Sequence, residues 1–429
     1  MKKELTAVKS LKGVADVPGD KSISHRTMIF GAIAEGTSVI SGLLDSGDVH
    51  STQNALRAMG VRIEGNAEKT LVHGVGKHGL KAPTGMIDCG NSGTTMRLMM
   101  GLLAGQNFTA TLTGDDSLIR RPMKRVAAPL TEMGAQFELT NNDYAPVKVL
   151  GQPGRQLKAI RYHLKVASAQ VKTSLLLAGL YADGTTTLTG ELGSRDHTER
   201  MFPSYGVHLD VQSNSISISN KEKLTAVNMR VPGDPSSAAF WMAAASIVPN
   251  SDIQIRNVSL NPTRTGFLKV LQRMGAQIEV ETITEHPEPL GHIRVRSSEL
   301  RGTHVQAHEI PTLIDEIPIL AIVATQAEGK TLIEGAEELR VKESDRIETV
   351  AKNLRGMGVK IETFQDGFQI EGPQPLQGAH IETFLDHRIA MSFSIAALIA
   401  KGITQIHGVD SVLTSYPQFY DVLDRLQKG

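Results

Sequence analysis

The sequence predicts an α/β protein of two domains, each made of three copies of one helix–strand unit. Three observations carry that prediction. One phrase recurs six times: a small-residue apolar helix, a glycine, a Thr- or Ile-rich strand, a polar loop, then a helix closing on Met-Gly and another strand. A longer repeat lies above it, because VPGDKS (17–22) reappears as VPGDPS (231–236) about half a chain later. The length, 429 residues, is also more than one core comfortably serves.

The copies run in order along the chain. They are 29–64, 98–138, 175–210, 250–280, 321–362 and 395–426, the last one truncated. LLLAGLYADG and AIVATQAEG read as short helices stopped by glycine, which accepts a left-handed conformation at little cost. TSVISG and TTTLTG alternate and are rich in β-branched residues, so they read as strands. In VLQRMG, Val270, Leu271 and Met274 fall at helical spacing and give a one-faced helix. Each copy is therefore expected to be helix–strand–helix–strand and to need neighbours to bury its apolar faces. The Pro-Gly pairs near 17–20 and 231–234 are the expected chain crossings between domains. That gives one domain of 19–231 and a second of 1–18 plus 232–429.

Composition narrows the function. Lys plus Arg is 45 and Asp plus Glu is 45, so the formal charge is zero and nothing calls for nucleic acid or an anionic membrane. The one cysteine, Cys89, allows no intramolecular disulfide and no Cys-rich metal site. No apolar h-region follows MKKELTAVKSLKG, and no apolar run approaches membrane-spanning length. A cytoplasmic protein is expected. There is no HExxH and no Walker loop, so no metal or nucleotide is called for.

Anion binding must then come from local clusters, and the duplication shows where. GDKSISHR (19–26) and its second-half counterpart GDPSSAAF share Gly, Asp and Ser. Pro235 stands where Lys21 stands, and Phe240 where Arg26 stands, so the turn does not need the cations. Ser22 and Ser24 are expected to cap the following helix, and a helix start flanked by Lys and Arg attracts anions. GNSGTTMR (90–97) offers Gly90 and Gly93 for close backbone approach, with Arg97 following. IRRPMKRV (119–126) has four cations in eight residues and Pro122 near a helix start. SAQVKTS (168–174) sets hydroxyl and amide groups at a helix start, and SRDHTER (194–200) mixes charges. LIDEIP (313–318) places Asp315 and Glu316 among apolar neighbours, where a carboxylate can serve as a base. In RVKESDR (340–346), a helix would put Lys342 and Arg346 on one face with Glu343 beside them. DHR (386–388) precedes an apolar helix. Singly, each is also what a solvated helix start or an ordinary turn would show. Together they put cations at helix starts in both halves, which suits substrates carrying several phosphates or carboxylates.

With GDKSISHR, GNSGTTMR, IRRP, SAQ, IDEIP, RVKESDR and DHR in this order, the chain resembles the enolpyruvyl transferase family over essentially its full length, and within it the EPSP synthases. The resemblance implies a two-domain inside-out α/β barrel with the active site between the domains. It implies transfer of the enolpyruvyl group of phosphoenolpyruvate to the 5-hydroxyl of shikimate 3-phosphate, with release of phosphate. No metal and no organic cofactor is expected, the partners are those two small molecules, and a monomer is the family expectation. By motif, Lys21, Ser22, Arg26, Ser168, Ala169, Gln170, Arg195, Asp315 and Lys342 resemble the shikimate 3-phosphate contacts. Lys21, Asn91, Gly93, Arg121, Gln170, Arg346 and Arg388 resemble the phosphoenolpyruvate contacts. Asp315 matches the base that accepts the hydroxyl proton, Glu343 the acid–base group near the methylene, and Lys21 lies near both substrates. Ala169 stands where a second serine is frequent, so only its backbone can contribute there. Thr414, in TSYP, stands where many members carry a lysine that contacts phosphoenolpyruvate. The resemblance also implies a glyphosate target, with Gly93 unsubstituted.

Two alternatives are distinguishable. A UDP-N-acetylglucosamine enolpyruvyl transferase would carry a cysteine where Asp116 stands, five residues before Arg121. A non-catalytic anion-binding scaffold would have no use for carboxylates such as Asp315 and Glu343 in its cleft.

Overall fold

The computed structural model describes residues 1–151, 153–154 and 156–429. Its internal contacts divide the chain into two compact units, one of Gly19–Val231 and one of Met1–Pro18 with Pro232–Gly429.

The Gly19–Val231 unit holds α1 (Lys21–Ala32), α2 (Gly47–Ala58), α3 (Gly93–Ala104), α4 (Lys124–Glu132), α5 (Ala169–Gly179) and α6 (His197–Ser204). These helices are of two kinds. Ten of the twelve residues of α1, ten of the twelve of α3 and nine of the eleven of α5 are buried, so these three form the interior. The helices α2, α4 and α6 bury only five of twelve, four of nine and four of eight, as one-faced helices do. Sheets lie against them. In the second copy, Ile87–Asp88 runs parallel to Ala110–Thr113. That strand pairs antiparallel with Tyr144–Leu150, which pairs in turn with Gln136–Thr140.

The same strand order, one parallel pair followed by two antiparallel pairs, recurs in five four-stranded sheets among the described residues. Each of these five copies thus has two strands beyond the expected helix–strand–helix–strand: a leading parallel strand and the closing strand of a hairpin. The leading strands of the first and fourth copies come from distant sequence, Asn228–Arg230 beside Glu35–Ser41 and Lys12–Asp16 beside Asp252–Ser259.

The other unit repeats the plan with α7 (Pro235–Ile247), α8 (Gly266–Arg273), α9 (Ile317–Ala324), α10 (Arg346–Gly356), α11 (His387–Ala397) and α12 (Phe419–Lys428). Again α7, α9 and α11 are almost wholly buried. The sixth copy ends at α12, and its sheet has three strands, with Lys2–Leu5 closing it antiparallel to Thr404–His407. Trp241 of α7 stacks on Phe419 of α12 at 5.0 Å and donates its Nε1–H to the Tyr416 hydroxyl at 2.9 Å. That satisfies the polar end of a buried aromatic.

Candidate functional site

The candidates fall into two sets, one in each unit, and each set lies at helix starts and in the turns that lead into them.

In the Gly19–Val231 unit, α1 begins at Lys21 and its cap is Asp20, whose Oδ1 accepts from the Ile23 amide at 2.9 Å. Neither Ser22 nor Ser24 caps it, contrary to expectation. An aspartate directly before the helix reaches the first turn better than a serine already inside it. Ser24 is buried and accepts from the Leu44 amide, and the Ser22 hydroxyl accepts from Arg195 Nη1 at 3.2 Å. Lys21 Nζ lies 2.6 Å from Oδ2 of the buried Asp48. Arg26 is buried, and its guanidinium donates to Thr198, to the Ser22 carbonyl and to Thr173 at 2.8–3.0 Å. It thereby ties α1 to α5 and α6.

The loop before α3 forms a second knot. Arg121 Nη2 donates to Asn91 Oδ1 at 2.9 Å, and Asn91 Nδ2 donates to Asp115 at 2.7 Å. A β-carbon on Gly93 would lie 3.3 Å from Arg97 Nη1 and 3.6 Å from Arg121 Nη1, so this glycine faces two guanidinium groups. Ser168 caps α5, with its Oγ accepting from the Val171 amide at 3.4 Å. Gln170 accepts from Arg97 Nη1 at 2.6 Å and donates to Thr94 at 3.0 Å, joining the starts of α3 and α5. Pro122 lies near the start of α4, two residues ahead of Lys124.

Two groups in this unit escaped the sequence reading. His25 is buried and its Nδ1 meets Thr52 Oγ1 at 2.7 Å, which in turn meets Thr95 Oγ1 at 2.7 Å. Burial, with Lys21 and Arg26 adding to it against Asp48, pushes its pKa down to about 3, so it is a neutral hydrogen-bonding group. Lys172 is only 1% exposed. Its ammonium meets Glu199 at 2.6 Å and donates to the Leu192 and Ser194 carbonyls at 3.2 Å, holding the segment that carries Arg195.

In the other unit, Asp315 sits in a one-turn 3₁₀ helix (Ile314–Glu316) that leads into α9. Three cations reach it: Arg346 Nη1 at 3.2 Å, Lys342 Nζ at 3.6 Å and Arg388 Nη2 at 3.9 Å. They do not come from one helical face. Lys342 follows a 3₁₀ turn (Glu337–Val341), and α10 starts only at Arg346, capped by Asp345. Asp345 accepts from the Glu348 amide at 3.1 Å, the N-cap to N3 spacing of a helix start.

Arg346 is the hub. Its side chain is 1% exposed, and besides Asp315 it meets Glu343 at 2.7 Å and Asp386 at 2.8 Å. Burial works against its charge, but Asp386 and Glu343 outweigh that and hold its pKa above the usual range. Asp386 is fully buried, and burial pushes its carboxyl up, but the Arg346 charge and hydrogen bonds, with His387 adding to them, together hold it below the usual range. It also accepts from the Arg388 amide at the start of α11 and from Ser344. Phe384 and Leu385, at φ 52° and 59°, form the left-handed turn that presents it. For non-glycine residues that conformation costs about 1–2 kcal/mol each. Glu316, also buried, receives the Ser236 hydroxyl. Burial pushes its pKa up, with the Arg388 charge offsetting only part of that. Thr414 ends a 3₁₀ turn (Val409–Thr414) ahead of α12, and Cys89 is buried with its thiol pKa pushed up by burial.

The chain can now be compared with known proteins. A family model described as EPSP synthase (3-phosphoshikimate 1-carboxyvinyltransferase) matches residues 5–423. The chain is 48% identical over 421 residues to a 3-phosphoshikimate 1-carboxyvinyltransferase of Bacillus pumilus, covering 97% of this chain and 98% of the relative. It is 49% identical over 433 residues to the one of Thermodesulfovibrio yellowstonii, covering all of both. Among solved structures it is similar to an EPSP synthase from Acinetobacter baumannii, with a TM-score of 0.89, 46% identity and coverage of 99% and 98%. The enolpyruvyl transferase NikO from Streptomyces tendae shares the fold, with a TM-score of 0.78 at 18% identity over 99% and 96%.

Proposed function

Since the chain belongs to the EPSP synthase family, the two-domain inside-out enolpyruvyl transferases, we propose how its residues divide that family's work. The reaction joins the 5-hydroxyl of shikimate 3-phosphate to C2 of phosphoenolpyruvate, while the methylene carbon takes a proton. The tetrahedral adduct then loses phosphate and gives 5-enolpyruvylshikimate 3-phosphate, on the route to aromatic amino acids.

Ser168, the Ala169 backbone, Gln170, Ser22, Arg26 and Arg195 take the shikimate phosphate and ring. The links of Arg26 to Thr173 and of Arg195 to Ser22 support that grouping. Asn91, Gly93 and Arg121 take phosphoenolpyruvate with Arg346 and Arg388, and Gln170 and Lys21 serve both substrates. The guanidinium pair of Arg346 and Arg388 suits a small ligand that carries both a carboxylate and a phosphate. Asp315 accepts the hydroxyl proton, with Lys342 beside it at 3.6 Å. Glu343 passes a proton to and from the methylene carbon. Such carriers titrate as a coupled set.

One observation carries this reading above the others. Asp315 and Glu343 bind the same guanidinium, that of Arg346, at 3.2 and 2.7 Å. Two acid–base groups on one anion-binding cation is what proton transfer at a bound anion requires, whereas a passive anion scaffold would lose affinity by it. The site needs no metal or organic cofactor in this scheme. Glyphosate is expected to compete with phosphoenolpyruvate. No helix among the described residues is long and apolar enough to cross a membrane, and a cytoplasmic monomer is the setting we propose.

The test is phosphate release from phosphoenolpyruvate, with shikimate 3-phosphate or UDP-N-acetylglucosamine as acceptor. Release with the first alone is expected. Release only with the second would mean that Asp116 is a poor guide to the acceptor. Silence with both, from folded protein, would favour the scaffold.

A further inference from the structure

The second-half turn GDPSS has lost the cations of its first-half counterpart but kept Asp234 and Ser236. Asp234 caps α7, its Oδ1 accepting from the Ser236 amide at 2.8 Å. Arg264, 3% exposed, donates through Nη2 to Asp234 Oδ1 and to Ser236 Oγ, each at 2.9 Å. With its lone pair so engaged, the Ser236 hydroxyl donates to Glu316 Oε1. Glu316 Oε1 in turn stands 3.6 Å from Arg388 Nη1. The result is a buried row of alternating charge, Asp234, Arg264, Ser236, Glu316, Arg388, that begins in the repeated turn and ends on a proposed phosphoenolpyruvate clamp.

Arg388 has two acidic neighbours. Its Nη1 donates to the Asp315 carbonyl at 3.1 Å, and its Nη2 is 3.9 Å from the Asp315 carboxylate. Removing Glu316 would leave this guanidinium beside Asp315, the proposed base, at 3.9 Å. The guanidinium would turn to it and satisfy itself there. With Glu316 Oε1 fixed by Ser236, itself held by Arg264, Nη1 has a stationary anion beside it and the fork is held open for a ligand.

We propose that Glu316, tethered by Ser236 and Arg264, is a positioning residue that holds Arg388 in its phosphoenolpyruvate-binding orientation. This rests on the clamp role given to Arg388 above, and the experiment separates the two. Initial rates of phosphate release are measured on the full chain for the parent, Glu316→Gln, Ser236→Ala, Arg388→Lys and the double variant Glu316→Gln/Arg388→Lys. Each substrate is varied in turn, and circular dichroism reports folding.

Glu316→Gln keeps the shape and removes the charge. It is expected to raise KM for phosphoenolpyruvate about tenfold, the scale of a misplaced clamp. KM for shikimate 3-phosphate should stay within about twofold, and most of the effect should vanish in the Arg388→Lys background, because coupled residues are not additive. A residue that merely stabilises the fold would move both KM values alike or lower only kcat, with the same effect in either background. Either pattern, or an unchanged KM for phosphoenolpyruvate, would overturn the proposal. Should Glu316→Gln not fold, Ser236→Ala decides: a rise of about threefold or more in that KM supports it, and an unchanged KM overturns it. If Arg388→Lys itself leaves the KM for phosphoenolpyruvate unaltered, the clamp role fails and this inference fails with it. If Arg388→Lys raises it and Glu316→Gln does not, only the present inference fails.

Discussion

Consider replacing Lys172 with methionine. The ammonium is 1% exposed and spends all three of its hydrogens, on Glu199 at 2.6 Å and on the Leu192 and Ser194 carbonyls at 3.2 Å. Methionine nearly matches the stem, so the cavity left behind is small. Two other costs remain. Glu199, 8% exposed, loses its counter-ion, and breaking a buried pair from one side costs about 3–5 kcal/mol. The Ser194 carbonyl, left without this donor, adds about 1–3 kcal/mol if it stays dry, whereas the Leu192 carbonyl keeps the Ser194 amide at 2.8 Å. The segment around 191–196 can open and admit water, which caps the sum, so a net loss of about 3–5 kcal/mol is expected. Urea unfolding of the parent, Lys172→Met, Glu199→Gln and the double variant would give the coupling directly. The double variant should be more stable than Lys172→Met, since it no longer buries a lone carboxylate. KM for shikimate 3-phosphate should rise as well, because Ser194 and Arg195 lose their anchor. A loss below about 1 kcal/mol, together with an unaltered KM, would refute the argument that this pair holds the segment in place.

Three further outcomes are expected. His25 stays neutral in the fold down to about pH 3, while the unfolded chain protonates it below about 6.5. The unfolded state thus binds one more proton between those values, and stability falls with falling pH by about 1.4 kcal/mol per unit. In His25→Asn that component should vanish from urea titrations between pH 6 and 4, and parallel slopes in the two proteins would count against it. A β-carbon on Gly101 would lie 2.3 Å from the Ser174 carbonyl oxygen and 2.6 Å from its Cα, at the crossing of α3 and α5. Gly101→Ala should therefore cost about 3 kcal/mol or more in a denaturant midpoint, as backbone has to shift. Parent-like stability would mean that the helices are looser than described. The β-carbon of Gly93→Ala meets only guanidinium ends, at 3.3 and 3.6 Å, so the variant should fold normally. It should raise KM for phosphoenolpyruvate several-fold by pressing on Arg97 and filling the space beside Arg121, since small misplacements at a binding site are costly. An unchanged value would detach Gly93 from that site.

The repeat was legible because its strands advertise themselves. TSVISG and TTTLTG alternate β-branched residues and end on glycine, and their helices stop at Gly as well. The leading parallel strands were not. Ile87–Asp88 has two residues and Asn228–Arg230 three, too few for any period to show, and the second pairs with a strand that begins at Glu35. The cations proposed to bind substrate stood out because Pro235 and Phe240 replace two of them in the duplicated turn. Their partners stayed hidden. Asp48, Asp386 and Glu199 look like ordinary helix-start acids, and only folding brings them against Lys21, Arg346 and Lys172. RVKESDR misled for a different reason. Its charge spacing fits a helix face, but Asp345 with Glu348 three residues later marks a helix start, and that signal outranks the spacing.

The unit formed by Met1–Pro18 with Pro232–Gly429 is discontinuous in sequence, and this has a consequence at the ribosome. Lys12–Asp16 waits for Asp252–Ser259, and Lys2–Leu5 waits for Thr404–His407, whereas Gly19–Val231 contains all the partners of its own sheets. At about 5–20 residues per second, the interval between completing Val231 and delivering His407 is roughly 10–35 s. For that time Lys2–Leu5 lacks its native partner strand and can pair with another nascent chain instead. The segment that contains this strand, MKKELTAVKSLKG, carries four lysines. Charge of that kind on a waiting strand discourages edge-to-edge pairing until the native partner arrives.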